Sequence, residues 1–311
     1  MLTLVLQLPI VAVIAAGGDF IGDMYGPYFL VFYGLVIAAV LVACRWYAQR
    51  LDDTGHSPPP PVPDHADPYQ IAYMRGGENE VTRLLIFDLI EQGHLEITAD
   101  TRIVRADTRP SPHELSPAQR EVVEWFAVPR KPSDIFTSSG LPGRITHVAE
   151  GYAERCRSES LLLPAEARRA AWLGILFGAC IILGLGGYKL AVALEKGRHN
   201  VGFLTIMGIG AVIAVVKLCR PPRLNRRGRS HLAALQNKLE PLKAVTVSSD
   251  EVPADAALLL VAAFGFSALA GTTHASLVEM FNKGAVTASS GGCGAGCGGG
   301  CGGGCGGCGG D

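Results

Sequence analysis

A chain of 311 residues could hold about two soluble domains, yet long apolar runs occupy much of this one. Its 27 basic and 28 acidic residues give a formal net charge of −1, which argues against a protein built to coat nucleic acid. Nine cysteines are present, five of them within the last 19 residues, and such an odd, clustered set is not typical of a secreted disulfide scaffold.

Residues 24–44 form the first predicted membrane-spanning helix. No charge interrupts them, and a bilayer core needs roughly 20 apolar residues of helix. Arg45 and Trp46 follow, as expected where a span leaves the membrane on the cytoplasmic side. Residues 1–18 are a second apolar segment, which Pro9 interrupts. They are either a further span or the result of a start site placed too early. A signal peptide fits less well because no basic residue precedes the run.

Residues 51–66 are predicted to be a Pro-rich linker, in which Pro58–Pro61 adopt polyproline II and act as a short spacer. A ligand for an SH3 domain is the other interpretation of this run. Residues 67–165 then have the composition of a folded domain. An acidic or hydroxyl side chain directly before a proline, at Asp67 and Ser116, predicts the start of a helix.

The predicted elements of residues 67–165 are two helices, a β-hairpin around Ala99-Asp100, three helices and a short strand. This order favours a small winged-helix-like α+β domain, for which DNA binding is the obvious function. Between residues 66 and 165, however, 11 basic residues stand against 15 acidic ones, and phosphate binding needs a basic face. We therefore expect no nucleic-acid partner, and we interpret the acidic residues as solvated helix faces of an interaction module or scaffold.

Residues 170–194 and 201–219 are predicted to form a membrane-spanning hairpin, since both runs are apolar and a short polar loop separates them. Six basic residues between Lys217 and Arg229 place the end of the second run in the cytoplasm. A buried hairpin of a soluble core is the alternative. Residues 225–288 are predicted to be a cytosolic helical segment. The apolar stretch 256–270 within it is more typical of a core or interfacial helix than of a span.

Residues 289–311 are predicted to be a disordered Gly/Cys-rich tail, because Gly-rich chain cannot form a core. Thiolates bind Cu(I) and Zn(II), so the tail could hold a soft metal ion. The first four tail cysteines nevertheless have CxxxC spacing, and Cys308 follows Cys305 after a three-residue step. CxxxC on glycine has no preformed geometry, whereas zinc motifs pair CxxC units on a turn. A modified or cross-linked tail, a sorting signal and compositional drift are the other interpretations. The candidate ligands are Cys293, Cys297, Cys301, Cys305 and Cys308.

Chemical signals elsewhere in the chain are weak. His56, His65 and Asp67 could bind a metal, but a Pro-rich linker gives them no fixed geometry. The glycines of Gly184–Gly187 lie in an apolar run without a preceding strand, so they do not form a phosphate loop. Cysteines beside apolar runs are expected to pack as small hydrophobic side chains; these are Cys44, Cys180 and Cys219.

Five short motifs follow one another along the chain: Gly26–Leu30, Ala72–Gly77, the stretch from Lys189 through Gly197-Arg198 to Gly202-Phe203-Leu204, Arg226–Arg229, and Phe264-Gly265 with Leu269-Ala270-Gly271. Together with the tail, they resemble an uncharacterised family of bacterial membrane proteins with a low-complexity Gly/Cys-rich C-terminus. The resemblance covers nearly the whole chain after the N-terminal apolar segment, which is a departure because the family usually begins near its first span. It implies a bacterial origin and a membrane location, and it supplies no activity or site residues.

We therefore expect a mainly α membrane protein with three or four transmembrane helices, a small α+β winged-helix-like cytosolic domain and a disordered tail. The expected location is the bacterial cytoplasmic membrane, with the domain and the tail in the cytosol. The leading hypothesis is a non-catalytic, membrane-anchored scaffold or interaction protein, with the lipid bilayer and a protein as partners. The alternative is a soft-metal protein that handles Cu or Zn through its tail. An enzyme with an unrecognised site is the third hypothesis, although no catalytic or cofactor-binding residue is predicted.

Overall fold

The computed structural model describes residues 26–52, 54, 58–63, 65–98, 100–106, 115–137, 140–195, 202–248 and 253–269. Helices make up 75% of these residues, and the named strands among them form one antiparallel pair. The prediction of a mainly α chain with a small β component is confirmed. The apolar segment 1–18, His56 and the cysteine tail 289–311 lie outside the described residues.

In chain order, the described helices are α1 (Gly26–Arg50), α2 (Pro68–Gly76), α3 (Glu78–Glu91), α4 (Pro117–Trp125), α5 (Pro132–Ile135), α6 (Leu141–Arg144), α7 (Thr146–Ser158), α8 (Ala165–Glu195), α9 (Gly202–Leu218), α10 (Arg226–Ser248) and α11 (Ala254–Phe264). Strands β1 (Leu95–Ile97) and β2 (Ile103–Arg105) lie between α3 and α4, and a short 3-10 helix (Phe266–Leu269) follows α11. The described residues divide into two compact units. The first, called the bundle, contains α1, α8 and α9, and the second unit contains the remaining elements from residues 59–161 and 227–269.

Small residues on α8 let α1 pack closely against it. A Cβ atom at Gly178 would lie 2.8 Å from Val40 Cγ1, and one at Gly186 would lie 2.8 Å from the Tyr33 hydroxyl oxygen. The Tyr33 side chain is fully buried, and its hydroxyl donates a hydrogen bond to the Ile182 carbonyl at 3.0 Å. Close approach at glycine and a buried, satisfied hydroxyl are common features of helix pairs that associate in lipid.

The three helices of the bundle run up, down and up. Phe29 near the start of α1 contacts Lys189 near the end of α8, whereas Tyr47 near the end of α1 lies beside Gly174 in the first half of α8. Cys219 directly follows α9 and hydrogen-bonds a carbonyl in the C-terminal half of α1. The ends of α1 and α9 and the start of α8 therefore lie at one end of the bundle.

The chain that enters α8 pairs with the chain that leaves α9. Leu162 and Leu224 form an antiparallel bridge, and the Leu163 N–H donates to the Arg223 carbonyl at 2.9 Å. The buried side-chain amide of Asn225 donates to the Leu162 carbonyl at 3.4 Å. This pairing joins the two helices of the hairpin outside their apolar segments.

The core of the second unit forms around α3, whose apolar residues recur with helical spacing. Leu84, Phe87 and Leu89 are at most 1% exposed. Helix α11 packs against α2 and α3, and Phe266 contacts Phe87 edge-on with ring centroids 5.7 Å apart. With 11 residues, α11 is about 16 Å long, which is too short for a bilayer core of roughly 30 Å. The apolar residues of α11 therefore serve the core of this unit.

The Pro-rich segment lies along α10. The His231 Nδ1–H donates to the Pro60 carbonyl at 3.1 Å, and the Lys238 ammonium donates to the Pro63 carbonyl at 3.3 Å. Three residues of polyproline II advance about 9 Å, and seven residues of α-helix advance about 10.5 Å. These two lengths are similar, and side chains seven residues apart on α10 meet carbonyls three residues apart in the segment.

Candidate functional site

The outer surface of the bundle is apolar. A helix in a water-soluble core is mostly buried, but only 11% of the most apolar window of α1 and 28% of that of α8 are buried. These two helices are long and apolar enough to cross a membrane. Such a surface is suited to contact with lipid rather than with water. Aliphatic side chains that are 50% to 72% exposed include Val31, Leu35, Val42, Leu173, Leu176, Ile206, Ile209 and Ile213.

Basic side chains collect at the end of the bundle where α1 and α9 finish and α8 begins. At the other end, Lys189 is 8% exposed, and its ammonium lies 5.0 Å from the centroid of the Phe29 ring. This cation–π contact lowers the cost of placing an ammonium close to an apolar surface. The basic residues of the first end are Arg45, Arg50, Arg168, Arg169, Lys217 and Arg220.

The second unit carries an open groove of about 600 Å³ beside α4. Trp125 forms part of its lining, and the Arg130 guanidinium carbon lies 4.2 Å from the Trp125 ring centroid. The backbone holds Arg130 in place, because its N–H and carbonyl both pair with Ile103 of β2. Val128 is 60% exposed at the same groove. We call this surface the arginine groove; its lining includes Arg120, Arg130, Arg144, Trp125, Val128 and Glu121.

Three guanidinium groups line the arginine groove without a carboxylate partner within 4.0 Å among the described residues: those of Arg120, Arg130 and Arg144. Arg120 Nε donates to the Leu115 carbonyl at 3.0 Å, and Arg130 Nε donates to the Trp125 carbonyl at 3.1 Å. Both contacts use Nε, so they do not occupy the terminal N–H groups of these two guanidinium groups. Guanidinium forks bind carboxylates with two parallel hydrogen bonds, so the groove has the chemistry to receive an acidic group.

A hydrogen-bonded cluster joins α2, α3 and α4. The Tyr69 hydroxyl donates to Asp88 Oδ2 at 2.5 Å, and the Gln119 amide donates to the same oxygen at 3.0 Å. Burial and the neighbouring Asp88 carboxylate raise the pKa of Tyr69 above its ordinary value of 10.0. The phenol therefore stays protonated at neutral pH and cannot serve as a base. The cluster links three helices and has no catalytic arrangement.

Glu80 on α3 is buried, so the expectation that the acidic residues lie on solvated helix faces is wrong for this residue. Its side chain is 7% exposed and pairs with both Arg75 and Arg83. The Arg83 guanidinium carbon also lies 4.7 Å from the centroid of the Phe136 ring. A carboxylate between two cations can be buried because its charge is compensated. This ion triad holds α2 against α3.

The site residues predicted from the sequence are only partly within the described residues. The five tail cysteines and His56 lie outside them. The Asp67 side chain caps α2 by accepting from the Tyr69 N–H at 2.9 Å, and it pairs with Arg155 at 3.4 Å. No group of three or more His, Cys, Asp or Glu side chains that could hold a metal occurs in the described part of the chain.

The arginine groove is the site that sequence reasoning missed. Its basic residues come from α4, from the segment after α4 and from α6, and they share no short motif. The Trp125 and Arg130 pair is the one local signal, and five-residue spacing of this kind is too common to predict a groove. Comparison with protein-family models, with curated proteins and with solved structures gave no match to this chain.

Proposed function

We propose that the protein is a multi-pass, non-catalytic membrane protein, in which the bundle is the membrane anchor and the second unit binds a protein partner. The apolar outer surface of the bundle carries this proposal. Removing an aliphatic side chain from water gains about 1.5–3 kcal/mol. Eight such side chains, each at least half exposed, therefore favour lipid over water by on the order of 10 kcal/mol.

The proposed anchor has three spanning helices, α1, α8 and α9. At 17 residues, α9 reaches about 26 Å, which is at the short end of the range for a span. The segment 1–18 is a candidate for a fourth span. Lys and Arg concentrate on the cytoplasmic side of membrane proteins, so the basic end of the bundle is proposed to face the cytosol. The proposed location is the bacterial cytoplasmic membrane, as the resemblance described under Sequence analysis implies.

Extraction and fusion experiments test the anchor and its orientation. We expect the full-length protein to stay with membranes through an alkaline carbonate wash and to be released by detergent. Fusions of a reporter that works only in the cytosol, placed at positions 110 and 290, should be active. A fusion within residues 196–200 is the opposite control and should be inactive. Release by carbonate would refute the anchor, and an external signal at position 110 would refute the orientation.

The arginine groove is the proposed binding surface for the protein partner. The groove places a Trp side chain beside guanidinium groups that have no carboxylate partner among the described residues. This combination favours an acidic peptide segment, because its carboxylates would gain charge-assisted hydrogen bonds. The predicted winged-helix-like fold stays a prediction. Its hairpin corresponds to β1 and β2, which pair antiparallel with Ile97 opposite Ile103.

Site-specific photo-crosslinking in cells tests the partner. A photoreactive residue replacing Val128 in the full-length protein should yield one discrete adduct, and Arg144→Glu should abolish it. Arg144 suits this purpose because it is exposed and makes no ion pair among the described residues. A photoreactive residue at Gly151, which is exposed on α7, is the matched control and should give no adduct. If the adduct at Val128 persisted in the Arg144→Glu variant, the arginine groove would not be the surface that binds the partner.

Soft-metal handling by the tail is the second candidate function. The regular spacing of the tail cysteines in glycine favours it, with Zn or Cu as the ion. Metal analysis of the purified full-length protein and of a tail-deleted variant separates it from the first proposal. Equal metal content in the two proteins would refute it.

A further inference from the structure

Cationic side chains from two helices lie at the basic end of the bundle. Arg45 Nη1 on α1 donates to the Leu218 carbonyl at the end of α9 at 3.5 Å. Lys217 directly precedes Leu218, and Arg220 follows two residues after it. Arg45, Lys217 and Arg220 are all exposed, and none of them has a carboxylate within 4.0 Å among the described residues. We call these three side chains the cation cluster.

The positive charge of the cation cluster is not compensated by the carboxylates described at this end, which are those of Asp52 and Glu166. The Asp52 carboxylate accepts from the Arg226 N–H at 2.7 Å and from the Thr54 hydroxyl at 2.7 Å, and Glu166 is exposed in the first turn of α8. Like charges repel one another, and an anion between them would replace this repulsion with charge-assisted hydrogen bonds. The cation cluster therefore has the chemistry of a binding site for an anion.

Exposed aliphatic side chains adjoin the cation cluster on both helices. On α9, Ile209 is 56% exposed and Ile213 is 50% exposed. They lie on the same face as Lys217, because residues four apart are neighbours on a helix surface. On α1, Val42 is 69% exposed and lies three residues before Arg45. Four residues of helix advance about 6 Å, so an anion at the cluster would have apolar surface next to it along the helix axes.

We propose that the cation cluster binds the phosphate of an anionic phospholipid, whose acyl chains lie against the aliphatic side chains of α1 and α9. This inference rests on the proposed membrane anchor. Guanidinium groups bind phosphate oxygens with paired hydrogen bonds, and the Lys217 ammonium adds a point charge. In a zwitterionic lipid, the amine of the same headgroup compensates the phosphate, so an anionic lipid gains more from the cluster. A free phosphate would leave the aliphatic side chains without a partner.

Trp46 provides a fluorescent reporter beside the cation cluster. It directly follows Arg45, is 57% exposed, and lies under the Arg50 guanidinium, whose carbon is 4.7 Å from the ring centroid. The full-length protein is reconstituted into vesicles of phosphatidylglycerol and phosphatidylcholine, with bromine on the acyl chains of one lipid and then of the other. Bromine quenches Trp fluorescence on contact, so the two series give the exchange constant between the lipids. We expect a preference for phosphatidylglycerol of about fivefold or more, the factor for one Lys or Arg near an anionic membrane surface.

A pair of substitutions tests whether the cation cluster causes this preference. Lys217→Gln combined with Arg220→Gln should lower the exchange constant by about fivefold or more. Neither side chain makes a hydrogen bond or an ion pair among the described residues, so the fold should be kept. Arg102→Gln combined with Arg105→Gln is the matched control, because it removes the same charge from exposed positions of the second unit. It should leave the constant unchanged, and both variants keep all three tryptophans.

The outcomes separate this inference from the proposed anchor. Equal quenching by the two brominated lipids, or equal constants for the two double variants, overturns the inference and leaves the anchor standing. If neither brominated lipid quenched the fluorescence, the anchor would be refuted together with the inference. Inorganic phosphate, compared with chloride at the same ionic strength, should not lower the preference. A preference lost in phosphate alone would mean that the cluster binds free phosphate, which overturns the lipid site.

Discussion

Gly178 allows the sharpest test of how the bundle is packed. A methyl group at this position would lie 2.8 Å from Val40 Cγ1 and 3.0 Å from Cys44 Sγ, whereas one at Gly184 on the same helix meets nothing within 4 Å. Valine is stiff at χ1, so Val40 cannot move its methyl away cheaply. Gly→Ala also raises helix propensity, but this gain is common to both positions and cancels in a comparison. Overpacking of a filled core costs about 1–3 kcal/mol.

We therefore expect Gly178→Ala to be less stable than Gly184→Ala by about 1–3 kcal/mol. Reversible unfolding by SDS in mixed micelles, followed by circular dichroism, measures the difference directly. Alkylation of Cys44 gives a local measurement, because its half-buried thiol reacts faster when α1 separates from α8. A difference of 1–3 kcal/mol corresponds to roughly 5–150-fold in the opening equilibrium. Equal stability of the two variants within about 0.5 kcal/mol would show that α1 and α8 do not pack through Gly178.

Three further predictions concern the second unit and are measured by denaturant titration of the full-length protein. Glu80→Ala strands two partly buried guanidinium groups and should cost about 3–5 kcal/mol, whereas Glu154→Ala, which removes an exposed ion pair, should cost less than about 1 kcal/mol. Gly265 has φ of +84° and ψ of 178°, so Gly265→Ala should destabilise by about 1–3 kcal/mol or more. Gly151→Ala, in an open helix position, should be neutral or stabilise by up to about 1 kcal/mol. The raised pKa of Tyr69 favours the protonated phenol in the fold, so its contribution is complete below pH 10 and falls as the pH rises. The stability difference between the parent and Tyr69→Phe should therefore shrink by roughly 1.4 kcal/mol per pH unit above pH 10, and a constant difference would contradict this account.

Helix positions were predictable wherever a local signal defines them. Asp67 and Ser116 precede prolines, and both side chains cap their helices, Ser116 through a reciprocal capping box with Gln119. The apolar runs were located from the absence of charge, but α1 continues to Arg50, beyond the predicted end at residue 44. Charged residues end an apolar run without ending a helix, because backbone hydrogen bonds continue into the membrane interface or water.

Charges that meet only in the fold were not predictable from the sequence. Glu80 has the spacing of an exposed helix residue. It is nevertheless buried, because the chain turns at Gly77 and the Arg75 side chain of α2 pairs with the Glu80 carboxylate. In the same way, nothing local distinguishes Arg144 from other surface arginines, and only the fold brings α6 to the side of α4. Non-local contacts of this kind depend on how helices pack, which composition and periodicity do not encode.

Helices α11 and α1 differ in how much of their apolar surface other helices cover. Both are apolar, and composition alone gives each the appearance of a membrane segment. In α11, Ala257, Leu260 and Val261 are at most 1% exposed, because α2 and α3 cover them. In α1, Val31 and Val42 are more than half exposed, and the residues that pack inward are Phe29 and Tyr33. The second unit thus uses its apolar helix for its own core, whereas the bundle presents apolar side chains outward and buries the hydrogen bond between the Tyr33 hydroxyl and the Ile182 carbonyl. Outward-facing apolar side chains are the arrangement expected of helices surrounded by lipid, and they support the proposed anchoring role of the bundle.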